Sequence, residues 1–285
     1  MTAVSDRPRR SALYLPASNA RALAKARELP CDVVILDLED AVAPEAKGEA
    51  RAAAAAAARE DWGGRELVVR VNGLSTPWGE ADLAAVAGAP FDAVLAPKIA
   101  GPGDLDAYAA ALGGRPLWAM VETAAALFAL EPIAARARDT GLAALVVGTN
   151  DLALETGWRL APGRAAFLPA LAMTVAAARL HGLAVLDGVF NGLDDEAGLA
   201  AECAQGAELG FDGKTVIHPR QIEAASSAFQ PSEAELAHAR AVVAAFADPA
   251  AAGRGAVRLE GRMVERLHLA AAERLLSRAG ARPPN

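Results

Sequence analysis

The sequence of 285 residues lacks most features that would assign it quickly to a class of protein. It has only two cysteines, Cys31 and Cys203, with no CxxC motif, so neither a disulfide framework nor a thiolate metal site is indicated. The four histidines show no HExxH or other zinc spacing. No GxSxG motif occurs, which argues against a serine hydrolase of that type.

Long apolar runs and basic stripes are also missing. The net charge is −7 with a pI near 5.2, which argues against a nucleic-acid partner. No apolar run approaches the roughly 18–20 residues needed to span a bilayer. Residues 1–10 are charged and lack the apolar core of a secretory signal. We therefore expect a cytoplasmic protein with reduced, buried thiols and no membrane partner.

Short apolar runs alternate with helix-like segments along most of the chain. Eight runs have the length and flanking turn signals of buried strands: 13–15, 33–36, 67–71, 91–95, 117–121, 145–148, 183–186 and 214–217. Eight such units predict a closed (β/α)8 TIM barrel over residues 1–229. An open doubly wound sheet is the alternative, but its phosphate fingerprint is absent from the turn after the first strand, residues 16–19.

Three helical segments carry specific expectations. The pattern predicts a single helix from Ala124 to Arg138, and a helix that resumes at Arg164 after the interruption at 158–163. After residue 230 the pattern changes to a C-terminal helical lid or oligomerisation extension, residues 230–285. There Ser232 and Glu235 form a capping-box signature, a short strand follows at 256–259, and a last helix begins near Met263.

Charged residues concentrate at the carboxyl ends of the predicted strands, where barrel enzymes carry their chemistry. The set comprises Glu39, Asp40, Arg70, Lys98, Glu122, Asp151, Asp187 and the segment 214–219. Helix caps and salt bridges explain many such residues in other proteins. However, adjacent parallel strands would bring Glu122 and Asp151 to the same edge, and Mg²⁺ is commonly held by one or two carboxylates. We therefore predict a divalent-metal site at this pair.

Two further groups suit an acidic substrate at that metal. Arg70 has the planar guanidinium that clamps a carboxylate in bidentate fashion. The backbone amides of Gly148, Thr149 and Asn150, which precede Asp151, could receive further anionic oxygens. These residues suit a 2-oxo or hydroxy acid in carbon–carbon bond chemistry. The residues alone do not go beyond that reaction class.

Several motifs in order along the chain resemble the HpcH/HpaI aldolase and citrate lyase β-subunit (CitE-like) family. They lie at 10–16, 37–42, 69–73, 97–98, 121–124, 148–152, 187–191, 210–219 and 261–265. Within that family the chain is most similar to malyl-CoA and citramalyl-CoA lyases and to malyl-CoA thioesterases.

This resemblance implies a Mg²⁺-dependent enzyme, with Mn²⁺ as an alternative metal, that acts on a coenzyme A thioester. The main expectation is a carbon–carbon lyase that cleaves a malyl-CoA-like 3-hydroxyacyl-CoA into an acyl-CoA and a 2-oxo acid such as glyoxylate or pyruvate. A (3S)-malyl-CoA thioesterase that releases malate and CoA is the alternative. A citrate lyase β-like subunit, or a CoA-binding protein that works only within a complex, is an alternative of another class.

The resemblance also assigns roles to individual residues. Glu122 and Asp151 match the metal ligands, Arg70 the substrate arginine, and Glu39 and Asp40 an acidic pair around the metal's water shell. The positions that match CoA contacts are Tyr14, Lys25, Ile217 and Pro219. A homotrimer, or a dimer of trimers, is the family expectation.

The chain departs from the family pattern in two places. After the first strand, Ala17 and Asn19 stand where a glycine and a basic residue are common, with Arg21 as a substitute cation for CoA. In the C-terminal extension Glu265 stands where many lyases carry an aspartate that reaches a neighbour's active site as acid/base. Chains resembling the thioesterases carry Glu at this position. We therefore predict that Glu265 is a catalytic residue whose side chain is one methylene longer than the usual aspartate. The alternative is that Glu265 is only an exposed acid at the start of a helix.

Overall fold

The structure, a computed structural model, describes residues 7–248 and 253–280. They form two compact units, one over residues 9–229 and one over residues 230–248 and 253–280. The described part excludes residues 1–6, which belong to the segment considered above as a secretory signal, and residues 281–285. The predicted outer limits of the two domains, at residues 1 and 285, therefore lie outside it.

The first unit is a closed barrel of eight parallel strands, each paired with its neighbour in sequence and β1 paired with β8. The strands are β1 Ser11–Pro16, β2 Val33–Asp37, β3 Glu66–Arg70, β4 Ala93–Ala96, β5 Leu117–Val121, β6 Leu142–Val147, β7 Ala184–Asp187 and β8 Gly213–Val216. The helices are α1 Ala20–Ala26, α2 Lys47–Ala57, α3 Gly79–Ala87, α4 Pro102–Leu112, α5 Ala124–Phe128, α6 Leu130–Ala135, α7 Ala137–Thr140, α8 Thr149–Thr156, α9 Leu168–His181, α10 Glu196–Leu209 and α11 Ile222–Ala228. The predicted (β/α)8 barrel is confirmed.

Strand side chains alternate between the barrel interior and the layer of helices. The interior cluster contains Ile35, Leu95, Trp118 and Met120 with smaller residues around them. The other face of each strand packs against the helices in a larger cluster that includes Val34, as the continuous apolar runs indicate. Side chains therefore fill the barrel. The residues that directly follow the strands lie at the carboxyl-end face of the barrel.

The single helix predicted from Ala124 to Arg138 is wrong, because this segment forms the three short helices α5, α6 and α7. Pro132 has no N–H to donate to the carbonyl of Phe128, and its ring crowds that carbonyl. Helix α5 therefore ends at Phe128. The helix predicted to resume at Arg164 begins instead at Leu168. Arg164 has φ 49°, a left-handed conformation that cannot continue a helix.

The second unit contains α12 Glu233–Ala247, β9 Ala256–Leu259, β10 Arg262–Glu265 and α13 Arg266–Gly280. Ser232 caps α12 through the predicted capping box with Glu235. The expectation of a helix from Met263 is wrong. Glu260 and Gly261 have φ of 47° and 81°, which closes a two-residue hairpin, so Met263 lies in a strand and the helix begins at Arg266.

Candidate functional site

Arg70 is fixed at the carboxyl end of β3 by the neighbouring strand. Asp37, at the end of β2, stands opposite Arg70 in the strand register. Its carboxylate accepts hydrogen bonds from Nε at 2.7 Å and Nη2 at 2.6 Å, a bidentate pair. The guanidinium also lies 5.0 Å from the centre of the Tyr14 ring. Burial alone would lower the pKa of Arg70, but Asp37 together with Tyr14 and Glu39 outweighs it and the pKa is raised, so this cation stays charged.

The acidic turn after β2 is held by donors to its carbonyl groups. Lys47 Nζ donates to the carbonyl oxygens of Leu38 and Glu39 at 2.8 and 2.6 Å, and Asn72 Nδ2 also donates to that of Leu38. This fixes Glu39, whose Oε2 lies 2.9 Å from Arg70 Nη1. Burial raises the pKa of Glu39 to about 8, although Arg70 lowers it. Asp40 remains mostly exposed, 3.6 Å from the same Nη1.

Glu122 follows β5 and is almost completely buried, with 1% of its surface exposed. Its Oε1 accepts the backbone N–H of Lys98 at 2.7 Å. Its Oε2 is buried and has no hydrogen-bond partner among the residues that the structure describes. Burial is the main reason that its pKa is raised. A buried carboxylate oxygen left without a donor is costly, which suits a ligand for a cation.

Asp151 lies in the first turn of α8, which begins directly after β6 and Gly148. A Cβ atom at Gly148 would lie 2.5 Å from both Cβ and Oε2 of Glu122, so only glycine lets β6 pass so close to that carboxylate. Asn150 and Asn191, on the loop after β7, exchange hydrogen bonds at 2.8 and 3.3 Å. These contacts place the start of α8, with its free N–H groups, beside Glu122.

The ammonium group of Lys98 lies where the acidic residues converge. Its Nζ contacts Asp151 and lies 3.8 Å from Glu122 Oε1. It is 3.9 Å from oxygens of both Glu39 and Asp40. Four of the predicted acidic residues therefore come together around one point, and Arg70 borders them.

The donor set of this cluster suits a hard cation. Within residues 7–248 and 253–280, no group of three or more His, Cys, Asp or Glu side chains is arranged as a metal cage. Glu122 and Asp151 nevertheless offer the two carboxylates with which Mg²⁺ is commonly held, its other positions being filled by water or substrate. The unpartnered Oε2 of Glu122 supports this fit.

The residues expected to contact CoA lie around the carboxyl ends of the adjacent strands β1 and β8. Arg21 and Lys25 are exposed on α1, and Ile217 is 40% exposed just after β8, two residues before Pro219. Tyr14 differs from them, because its hydroxyl donates to Met120 Sδ at 3.4 Å inside the barrel. The Arg70 guanidinium lies over its ring, so Tyr14 supports that residue directly.

Glu265 belongs to the second unit. It is exposed and ends β10, and its backbone N–H donates to His268 Nδ1 at 2.9 Å. It is therefore the last residue of a strand, with the helix starting at the next residue.

Sequence reasoning missed two residues of the site. The sequence pattern assigns no role to Asp37, although Asp37 alternates along β2 with Val33 and Ile35 on the same face and adjoins Arg70 across the sheet. Lys98 stands at a strand end, but the sequence pattern assigns it no function. Its left-handed backbone, φ 52°, which turns its N–H to Glu122, leaves no sequence signal.

Asp187 and Lys214 are not part of this cluster. Asp187 is fully buried and bonded to Arg164 and Lys214, at 2.8 and 3.2 Å. Burial alone would raise the pKa of Asp187, but these two cations outweigh it and lower the pKa. The side chain thus joins β7, β8 and the loop before α9 as a structural ion pair.

Comparisons with known proteins agree with this architecture. Residues 10–219 match the family HpcH/HpaI aldolase/citrate lyase. A (3S)-malyl-CoA thioesterase of Cereibacter sphaeroides is 48% identical over 275 residues, which cover 96% of this chain and 95% of that protein. An L-malyl-CoA/beta-methylmalyl-CoA lyase of the same species is 34% identical, again covering 96% and 95%.

Solved structures give the same result. The crystal structure of CitE from Mycobacterium tuberculosis in complex with magnesium, acetoacetate and coenzyme A has a TM-score of 0.79 and 35% identity. It covers 96% of this chain and 99% of that one. The barrel, the ordered motifs and these similarities together show that the chain belongs to the HpcH/HpaI aldolase/citrate lyase family.

Proposed function

We propose that this protein is a Mg²⁺-dependent thioesterase that hydrolyses (3S)-malyl-CoA, or a close 3-hydroxyacyl-CoA, to the free hydroxy acid and CoA. The observation that carries this choice is the 48% identity to a (3S)-malyl-CoA thioesterase over nearly the whole chain, against 34% to the lyase. The comparisons therefore favour the alternative outcome of the sequence analysis over its main expectation of a lyase.

Glu122 and Asp151 would hold the metal through their carboxylates. Glu39 and Asp40, which border the same point, would hold its water ligands. When bound, Mg²⁺ or Mn²⁺ supplies a Lewis acid that polarises a substrate oxygen. A CitE structure with magnesium, acetoacetate and coenzyme A supports this choice of metal and ligand.

Arg70 would orient the free carboxylate of the substrate. Asp37 uses Nε and Nη2, so Nη1, which lies 2.9 Å from Glu39 Oε2, is the nitrogen that would also bind the substrate carboxylate. Because Asp37 and Tyr14 already immobilise the guanidinium, little conformational entropy is lost when substrate binds. The first N–H groups of α8, at Thr149 and Asn150, would donate hydrogen bonds to a second anionic oxygen of the substrate. Gly148, which has no side chain, would let that oxygen come close.

The CoA portion would lie over the ends of β1 and β8. Arg21 and Lys25 are exposed cations that suit the phosphates, and the exposed side chain of Ile217 with Pro219 suits an apolar part of the cofactor. Tyr14 acts through Arg70 in this arrangement.

Hydrolysis needs a water molecule whose oxygen forms a bond to the thioester carbonyl carbon while the carbon–sulfur bond breaks. The water gives up a proton, and the CoA sulfur gains one. We propose Glu265 as the group that moves this proton, supplied by a neighbouring subunit of a homotrimer. Its exposure leaves its carboxylate accessible for that role.

A lyase is the second candidate, because the same family and a 34% identical relative support it. In that reaction the bond between the hydroxyl-bearing carbon and the thioester α-carbon breaks, the hydroxyl loses its proton, and the α-carbon gains one. A non-catalytic subunit is the third, since the β subunit of citrate lyase from Leuconostoc mesenteroides is 32% identical.

A product assay separates these functions. The protein is incubated with Mg²⁺ and malyl-, methylmalyl- or citramalyl-CoA, and products are separated by chromatography. We expect malate and free CoA from malyl-CoA. Glyoxylate and acetyl-CoA in equal amounts would show a lyase instead. CoA binding without turnover of any ester would overturn both enzymatic assignments in favour of a subunit role.

A further inference from the structure

We propose that the Lys98 ammonium is a built-in substitute cation, which occupies the carboxylate cluster in the metal-free protein and leaves it when the divalent metal binds. This inference rests on the metal site of the proposed function and concerns how that site is stabilised when no metal is bound.

The Lys98 ammonium lies among the carboxylates of the cluster. Lys98 Nζ contacts Asp151, lies 3.8 Å from Glu122, and lies 3.9 Å from Glu39 and from Asp40. These distances place one positive charge at the point that all four carboxylates face. A divalent cation held by Glu122 and Asp151 would need the same space, so the ammonium and the metal exclude each other.

The carboxylates of the cluster need the positive charge of Lys98 for their charge balance. Arg70 is the other cation at this point, and it is already committed to Asp37 and Glu39. Without Lys98, neither of these two cations would balance the negative charges of the Glu122 and Asp151 carboxylates. Carboxylates of like charge on the same side of the site repel each other, and the buried Glu122 is poorly screened by water, so the ammonium stabilises the metal-free protein.

The backbone and the side chain of Lys98 have separate roles. The backbone is held at φ 52°, a left-handed conformation uncommon for lysine, and its N–H donates to Glu122 Oε1 at 2.7 Å. The side chain is 39% exposed and has four rotatable carbon–carbon bonds. It can therefore move into solvent while the N–H continues to hold the metal ligand.

A labelling experiment on the unmodified protein tests the displacement. The chain has four lysines, and only Lys25 and Lys98 are exposed. The protein is treated with a trace of an acetylating reagent, with EDTA or with saturating Mn²⁺, and acetylation is quantified by mass spectrometry. We expect Lys98 acetylation to rise several-fold with Mn²⁺ and Lys25 acetylation to stay unchanged. Unchanged or reduced labelling of Lys98 would overturn the proposal.

A charge-removing variant tests the competition. Lys98→Met keeps the N–H and the stem length, so Mn²⁺ affinity is compared by calorimetry with wild type and with Arg138→Met. Arg138 is an exposed cation on α7, which precedes β6 at the opposite end of the barrel. We expect Lys98→Met to bind Mn²⁺ about tenfold more tightly or better. We also expect its metal-free melting temperature to fall by about 5 °C, with little change when metal is saturating.

Equal or weaker Mn²⁺ affinity in Lys98→Met would overturn the proposal. If that variant is too unstable without metal to titrate, Lys98→Gln, which keeps a donor for Asp151, is titrated with the same expectation. Failure of the proposed function looks different: wild type then binds no divalent metal, or binds it and leaves malyl-CoA intact. A wild type that binds metal and hydrolyses the ester, with no effect of Lys98, refutes this inference alone.

Discussion

Gly148→Ala is the substitution that most directly probes how the barrel positions Glu122. Gly148 has φ −104°, which alanine adopts without strain, so any effect comes from the new methyl group. That group would lie 2.5 Å from Glu122 Cβ and Oε2 and 3.0 Å from Met120 Cε. Because ordinary contact begins near 3.4 Å, the Glu122 side chain would have to retreat by about 1 Å.

Glu122 has little freedom to make this movement. It is 1% exposed, and its Oε1 is bound to the Lys98 N–H. Overpacking of this kind costs about 1–3 kcal/mol. If the carboxylate moves instead, we expect the affinity for Mn²⁺ to fall by about tenfold to a hundredfold, since each factor of ten corresponds to about 1.4 kcal/mol.

Calorimetric titration with Mn²⁺ and urea denaturation measure the two effects. Gly103→Ala is the matched control, because Gly103 lies inside α4 with no atom near the added methyl group. Its metal affinity should equal that of wild type, and its stability should be equal or higher by about 0.5–1 kcal/mol. Wild-type stability and metal affinity in Gly148→Ala would refute the reasoning.

Three other perturbations test separate parts of the structure. Asp187→Asn should lower the free energy of unfolding by about 3–5 kcal/mol, because Arg164 and Lys214 lose their buried partner. The control Asp194→Asn, at a residue whose side chain is 94% exposed, should leave that free energy unchanged. Equal denaturation curves for the two variants would contradict this. In the metal-free protein, burial raises the pKa of Glu39 from 4.5 to about 8, so its protonation contributes stability that is complete below pH 4.5 and is lost as the pH rises through 8. Thermal melts from pH 4.5 to 8 should therefore show a smaller decline for Glu39→Gln than for wild type. Burial raises the pKa of both Cys31 and Cys203 to about 11, so neither thiol should react with iodoacetamide at pH 8 until the protein is unfolded, and rapid labelling of the folded protein would count against their burial.

Sequence periodicity predicts the barrel, because most of its buried parallel strands are continuous apolar runs, although β8, which contains Lys214 and Thr215, is the least clear of the eight. The errors lie where one residue overrides the local pattern. Pro132 divides a predicted helix, and Arg164 delays another because it turns toward Asp187. In the second unit, Glu260 and Gly261 close a hairpin that converts the predicted start of a helix into β10.

The candidate site was predictable to the extent that strand ends locate it. Topology alone indicated that Glu122 and Asp151 converge, and the structure brings both to Lys98. The role of Asp37 depends on strand register, and that of Lys98 on a left-handed backbone, neither of which a single sequence reveals.

The central claim is that Glu122 and Asp151 together hold the divalent metal on which activity toward a CoA thioester depends. Its most direct test is calorimetric titration of Mn²⁺ into wild type, Glu122→Gln and Asp151→Asn, with circular dichroism to verify that each variant is folded. We expect one site per chain in wild type and, in each folded variant, an affinity weaker by about a hundredfold or more, with loss of Mg²⁺-dependent malyl-CoA turnover. Wild-type metal affinity in either folded variant would contradict it.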